Sequence, residues 1–218
     1  MSGVSFIIDL FLHLDKYLNI ILIQYNTAAY VLLFAVIFME TGFVVTPFLP
    51  GDSIIFATGA IAAAGGAING PVVVLLFYAA AIVGDTVNYK IGSMLSKRVQ
   101  KREHIRFVKM EYIDRTNIFF EKHGGMTITI ARFIPIIRTF APFVAGVGSM
   151  PYKRFLSYNV AGGIAWVSFF FAIGYFFGNI TFVKNHFGLV VIVIVVISVV
   201  PAVIAFFKSR KSAKDKPD

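Results

Sequence analysis

The sequence predicts an all-α, polytopic membrane protein with about four spanning helices, two opposed re-entrant helical hairpins in an inverted repeat, and an amphipathic N-terminal helix. Three observations predict it. The 218 residues are 58% hydrophobic and only 14% charged, with a mean hydropathy of +0.80, against about 45–50% apolar and about 25% charged in soluble domains. Four apolar segments approach the roughly 20 residues that a crossing needs. Two further apolar stretches are broken by proline and glycine.

Residues 1–26 form the first element. Met1 to Tyr25 has neither the basic start nor the small-residue cleavage site of a secretory signal, so it is expected to stay in the mature protein. Asp9, His13, Lys16 and Asn19 recur at spacings of four, three and three. That places one polar stripe on an apolar helix and suits a helix lying in the interface.

Residues 27–207 are read as one membrane domain. Spans are expected at Thr27 to Glu40, borrowing from Ile20 onward to reach crossing length, at Pro71 to Leu95, at Phe155 to Gly178 and at Phe187 to Phe207. The intervening residues 41–70 carry Gly42, Pro47, Pro50, Gly51, Gly59, Gly65, Gly66 and Gly70. Two half-helices of ~10 residues reach only ~15 Å each at about 1.5 Å per residue, so they cannot cross a ~30 Å core twice. A hairpin that enters and leaves on one side fits, provided neighbouring protein satisfies its non-helical backbone. Residues 126–150, with Pro135, Pro142, Gly146 and Gly148, follow the same logic.

Charge sets the expected orientation. The central loop, residues 96–125, holds Lys97, Arg98, Lys101, Arg102, Arg106, Lys109, Arg115 and Lys122, and the tail, residues 208–218, holds Lys208, Arg210, Lys211, Lys214 and Lys216. The positive-inside rule makes both cytoplasmic, together with the two termini. The first hairpin then opens from outside and the second from inside, and only Lys184 is left outside. Within the loop, Met110, Ile113, Asn117 and Phe120 have helical spacing, and Gly124-Gly125 supply a stop; His123 before it favours the helix dipole. Phe48-Leu49-Pro50 returns as Phe133-Ile134-Pro135, and Pro71 as Pro151, each opening a long helix. Inverted repeats whose broken helices meet near the midplane are a transporter pattern.

Several function classes drop out. The net charge of +9 reads as topology signal and anionic-lipid contact rather than nucleic-acid binding, because no aromatic-interleaved basic motif accompanies it. With no cysteine, disulfides, thiolate metal sites and cysteine nucleophiles are excluded. HExxH, GxSxG, P-loop and EF-hand patterns are absent, and His13, His104, His123 and His186 are scattered, so neither an enzyme nor a cofactor or metal is expected.

Six ionisable groups remain at membrane depth: Glu40, Asp52, Asp85, Lys90, Arg132 and Arg138. Each costs at least ~2.5–3.5 kcal/mol there if unpaired. Arg132 and Arg138 flank Pro135 in ARFIPIIRTFAP, and their donor forks match phosphate oxygens; helix N-termini in a broken segment would add N–H donors. The alternative is that they only pair with Glu40 and Asp52 and hold the hairpins together. Glu40 ends the first helix and Asp52 follows the Pro50-Gly51 turn, so either carboxylate is a candidate proton carrier; an interfacial Glu40 and a helix-capping Asp52 are the structural alternatives. Asp85, Asn88, Tyr89 and Gly92 share one helix face, which should look at protein, as a hydrogen-bond network or as a lining. Lys90 is expected to snorkel, and Trp166, the sole tryptophan, to sit in the core.

ETGFVVTPFLPGDS (Glu40 to Ser53), AIVGDTVNYKIG (Ala81 to Gly92), EKHGG running into ARFIPIIRTFAPFVAGVGSM (Glu121 to Met150), and YNVAGGIAW, which holds Asn159, resemble the DedA family. That family carries the VTT domain, also called the SNARE-associated domain. The likeness covers about Val31 to Trp166; the tails match poorly. It implies two opposed re-entrant hairpins and the movement of polyprenyl phosphate, chiefly undecaprenyl phosphate, back across the bacterial cytoplasmic membrane for envelope synthesis. Eukaryotic relatives scramble phospholipids, and other bacterial members are linked to proton-dependent homeostasis. In the family pattern the paired acids fall on Glu40 and Asp52 and the paired arginines on Arg132 and Arg138.

The expected site therefore has Arg132 and Arg138 as phosphate ligands and Glu40 and Asp52 as proton-coupling groups. Asp85, Asn88, Tyr89, Pro50, Gly51, Pro135 and Asn159 support them. The expected partner is polyprenyl phosphate or another anionic lipid, with protons or sodium as coupling ions. Three readings of other classes stay open: a proton- or sodium-coupled exchanger of small solutes, a non-transporting assembly factor, and a lipid phosphatase.

Overall fold

The computed structural model describes residues 14–25, 27–43, 50–65, 68–101, 124–178, 180, 181, 183, 186–190 and 193. Asp9 and His13 of the expected N-terminal polar stripe, most of the central basic loop, the basic tail and most of the expected fourth span lie outside the described residues. Those that are described form helices and connecting turns, with no strand among them. In chain order the helices are α1 (Leu14–Tyr25), α2 (Thr27–Gly42), α3 (Gly51–Ala63), α4 (Gly70–Lys101), α5 (Met126–Ala131), α6 (Pro135–Val147) and α7 (Tyr152–Phe177).

Two of these are long and apolar enough to cross a membrane, over Gly70–Ser96 of α4 and Tyr152–Phe177 of α7. Local chemistry explains where they start. Pro71 stands in the first turn of α4, where a missing N–H costs nothing, and the Asn69 side chain accepts the Val72 N–H at 3.1 Å as an N-cap. Pro151 occupies the N-cap position of α7. The shorter helices are bounded by the same residues that marked the sequence as broken: Pro50 precedes α3, and Pro135 opens α6 after a break at Arg132–Ile134.

The first short pair runs down and back beside one half of the long helices. The Asn69 N–H donates to the Tyr30 hydroxyl at 2.9 Å, which puts the start of α2 beside the start of α4. At its other end α2 reaches the middle of α4, where a Cβ on Gly42 would lie 3.4 Å from the Gly84 Cα. The chain then returns through α3, whose first residue is hydrogen-bonded to Glu40. In this respect the arrangement differs from the expected one. Thr27–Gly42 ends beside the middle of α4 and is shorter than a full crossing, whereas the sequence reading made it a complete crossing by borrowing from Ile20 onward and began the hairpin at Thr41. Apolarity alone does not say where such a helix ends; the Gly42–Gly84 approach is a tertiary contact.

Each returning limb packs on the long helix of the opposite half. α3 lies against α7 through Gly59 and Gly174, and α6 lies against α4 through Gly146 and Gly92; a Cβ on any of the four would approach the facing backbone to 3.0 Å or less. Small residues that let helix backbones meet are how membrane helices gain packing without a hydrophobic driving force. A large core cluster joins α1 to α4 and α7 around Phe56, Phe77 and Trp166, and a smaller one holds Tyr89, Ile128, Ala145, Met150 and Phe155.

Candidate functional site

The turn before α3 has no side chain of its own to satisfy its free N–H groups, because its N-cap residue is Pro50. Glu40, from the end of α2, takes that role: its Oε1 accepts the Gly51 N–H at 3.3 Å. Gly51 is the residue that permits it, since a Cβ there would collide with the Glu40 carboxylate. The same Oε1 accepts a hydrogen bond from Nη2 of Arg138 on α6. Glu40 is fully buried, which removes the interfacial alternative.

Asp52, one residue into α3, completes the cluster. Its Oδ1 accepts Nη1–H of Arg138 at 2.6 Å and Nε1–H of Trp166 at 2.9 Å. The Arg138 guanidinium lies over the Trp166 ring, 4.8 Å from its centroid, a cation–π contact that adds to the ion pairs where water is excluded. Asp52 sits inside the first turn and not at the N-cap, and its Oδ1 meets side chains from α6 and α7. The core tryptophan expected from the sequence is thus also a donor to the site.

Arg132 does not join this cluster. It stands in the break between α5 and α6, and its Nη2 donates to Oδ2 of Asp85 on α4 and to Oδ1 of Asn159 on α7. Asn159 in turn donates to the Ile82 carbonyl at 3.1 Å. The arginine runs along Gly162 and Gly163 of α7, where a Cβ on Gly162 would come 2.9 Å from its Cδ. Both guanidinium groups are nearly inaccessible, at 3% for Arg132 and 6% for Arg138.

Asn88, one turn after Asp85, ties the parts together by donating to the carbonyls of Thr41 at 3.1 Å and Thr139 at 2.7 Å. Tyr89 is buried and donates to the Met150 carbonyl, closing the turn after α6. The face of α4 carrying Asp85, Asn88 and Tyr89 therefore looks at protein. Lys90, beside it, is exposed.

The sequence reading brought Arg132 and Arg138 together with Glu40 and Asp52; only Arg138 meets the two acids, while Arg132 pairs with Asp85, a partner the reading did not give it, and Ser53 went unnoticed. The signal for the first was the Gly162-Gly163 pair beside Asn159, a groove cut for a long side chain. Ser53 is 1% exposed, and its hydroxyl has no hydrogen-bond partner among the described residues. Oε2 of Glu40 and Nε of both arginines share that condition.

Two helices long and apolar enough to cross a membrane, packed around buried acid–arginine pairs, fit an all-helical membrane protein. The VTT domain model matches residues 49–176, and the chain belongs to the DedA family. It is 44% identical to Protein DedA of Escherichia coli K12 over 214 residues, covering 98% of both chains. A membrane protein of Mycobacterium leprae is 38% identical over 81% of this chain and 79% of its own length. The inner membrane protein YghB of Escherichia coli K12 is 32% identical over 73% of each. No solved structure matches the chain.

Proposed function

We propose that this protein is a carrier that moves the head group of an anionic lipid, most fittingly undecaprenyl phosphate, across the bacterial inner membrane. Two re-entrant hairpins, α2–α3 from outside and the limb ending in α5–α6 from inside, would bring the head-group site to the middle of the bilayer. The observation that carries the reading is the Glu40–Arg138–Asp52 cluster: a guanidinium held at the N-terminus of a broken helix by two buried carboxylates. A structural ion pair needs one acid. A second acid on one arginine leaves a site that must change its charge to accept an anion.

Charge counting supports coupling to protons. Arg138 pairs with Glu40 and Asp52, and Arg132 with Asp85, so with all five ionised the set carries one net negative charge. A phosphate monoester adds about −1.5 to −2. Protonation of Glu40 or Asp52 on ligand entry offsets one of these negative charges and weakens one of the two pairs that hold Arg138, which ties head-group binding to proton uptake.

Reconstitution of the full chain into liposomes with labelled undecaprenyl phosphate tests the proposal. Wild type should speed transbilayer movement, and Arg138→Ala should return it to the protein-free rate. Equal rates for both would overturn the carrier reading. Ion flux without the lipid would point to a small-solute exchanger, and release of inorganic phosphate to a phosphatase.

A further inference from the structure

Glu40 makes two contacts that an anionic ligand would want, the Gly51 N–H at the start of α3 and the Arg138 guanidinium. We infer that its carboxylate is an internal stand-in for the phosphate, and that the ligand displaces Glu40 onto a cradle made of the α3 N-terminus, the Ser53 hydroxyl and Arg138. The inference deepens the carrier reading and rests on it.

Three observations on this 13-residue helix carry it. Glu40 is buried with Oε2 unpartnered among the described residues, so half of the carboxylate's bonding capacity is unused in a place where desolvation is costly. The Ser53 hydroxyl, in the first turn of the same helix, is buried and equally unpartnered. The first intrahelical bond of α3 is Ile54 N–H to the Pro50 carbonyl, so the N–H groups of Gly51, Asp52 and Ser53 all precede the helical ladder, where backbone donors and the helix dipole favour an anion. A phosphate monoester, with three acceptor oxygens, uses such donors more fully than a carboxylate that leaves one oxygen idle.

The two acids then have different tasks. Asp52 is held by Trp166 as well as by Arg138, and it stays to aim the guanidinium. Glu40, whose buried Oε2 has no partner among the described residues and whose Oε1 occupies the Gly51 N–H at the helix start, is the one that yields. Ser53 becomes a specificity residue for the phosphate.

Equilibrium binding of radiolabelled farnesyl phosphate to the purified full chain in detergent tests this, with farnesol as the phosphate-free control. Ser53→Ala removes one hydrogen bond to a charged ligand and should weaken farnesyl phosphate binding by roughly tenfold to a hundredfold. Glu40→Gln keeps the shape but removes the competing charge, and should tighten binding by about tenfold or more. A misfolded variant cannot bind more tightly, so the opposite signs guard against a folding artefact. Neither variant should change farnesol binding. If wild type binds farnesyl phosphate but Glu40→Gln binds it no better, the displacement falls while the carrier reading stands; Ser53→Ala binding like wild type removes the hydroxyl from the cradle. Wild type that binds the phosphate no better than farnesol overturns both.

Discussion

Asn88 donates to the Thr139 carbonyl at 2.7 Å, one residue beyond Arg138, and the same amide reaches Thr41, one residue beyond Glu40, at 3.1 Å. One side chain of α4 thereby sets the register of α2 and α6, the two helices whose charges meet. Asn88→Leu would remove both hydrogen bonds that tie α4 to α2 and α6. It should cost about 0.5–1.5 kcal/mol per bond, and thermal unfolding in detergent should show a drop in midpoint. Asn88→Asp should be as damaging, because a carboxylate cannot donate to both carbonyls.

Arg132 and Asp85 are a buried pair with one acid for one base. Removing one member leaves an uncompensated charge, so Asp85→Ala and Arg132→Ala should each destabilise by ~3–5 kcal/mol. Arg132→Met with Asp85→Leu should recover most of that loss, since apolar replacement of a buried pair is often neutral. A double-mutant cycle on unfolding midpoints measures this recovery.

Glycine substitutions should divide by what faces them. Gly174→Ala pushes a methyl into the Phe56 backbone, and Gly92→Ala into that of Phe143; each should lower stability by about 1–3 kcal/mol through overpacking. Gly70→Ala meets only side chains, at 3.5 and 3.6 Å, and should be neutral or slightly stabilising. Yield of monodisperse protein and its unfolding midpoint will rank the three.

Trp166 is the sole tryptophan and touches both Asp52 and Arg138. Its emission should shift when a phosphate lipid enters the cluster, and the shift should vanish in Arg138→Ala. Trp166→Phe keeps much of the packing but loses the Nε1–H donor, so it should weaken phosphate binding and leave folding largely intact. Fluorescence and equilibrium binding together check both outcomes.

Much of the site was legible because charge in an apolar sequence is conspicuous. Glu40, Asp52 and Arg138 needed only the cost of burying them to be singled out, and Pro50 and Pro135 marked where helices must break. What the sequence hid was set by tertiary contact. Arg132 and Arg138 look equivalent on either side of Pro135, yet the break at 132–134 turns one toward Asp85 and the other toward Glu40. The end of α2 against the middle of α4 rests on Gly42 meeting Gly84, a contact between residues that no local pattern links. Ser53 gave no signal, since a serine beside a charged turn is ordinary until its burial is known.

The carrier account depends most directly on the sense of the Glu40–Arg138 pair at the head of α3. Transbilayer movement of labelled undecaprenyl phosphate should be measured in liposomes for the charge-exchanged variant Glu40→Arg with Arg138→Glu, after gel filtration and Trp166 fluorescence have established a folded protein. The account predicts a folded chain with movement at the protein-free rate, because the cation no longer stands where the phosphate binds. Movement at the wild-type rate would contradict it and leave the pair as a structural clasp.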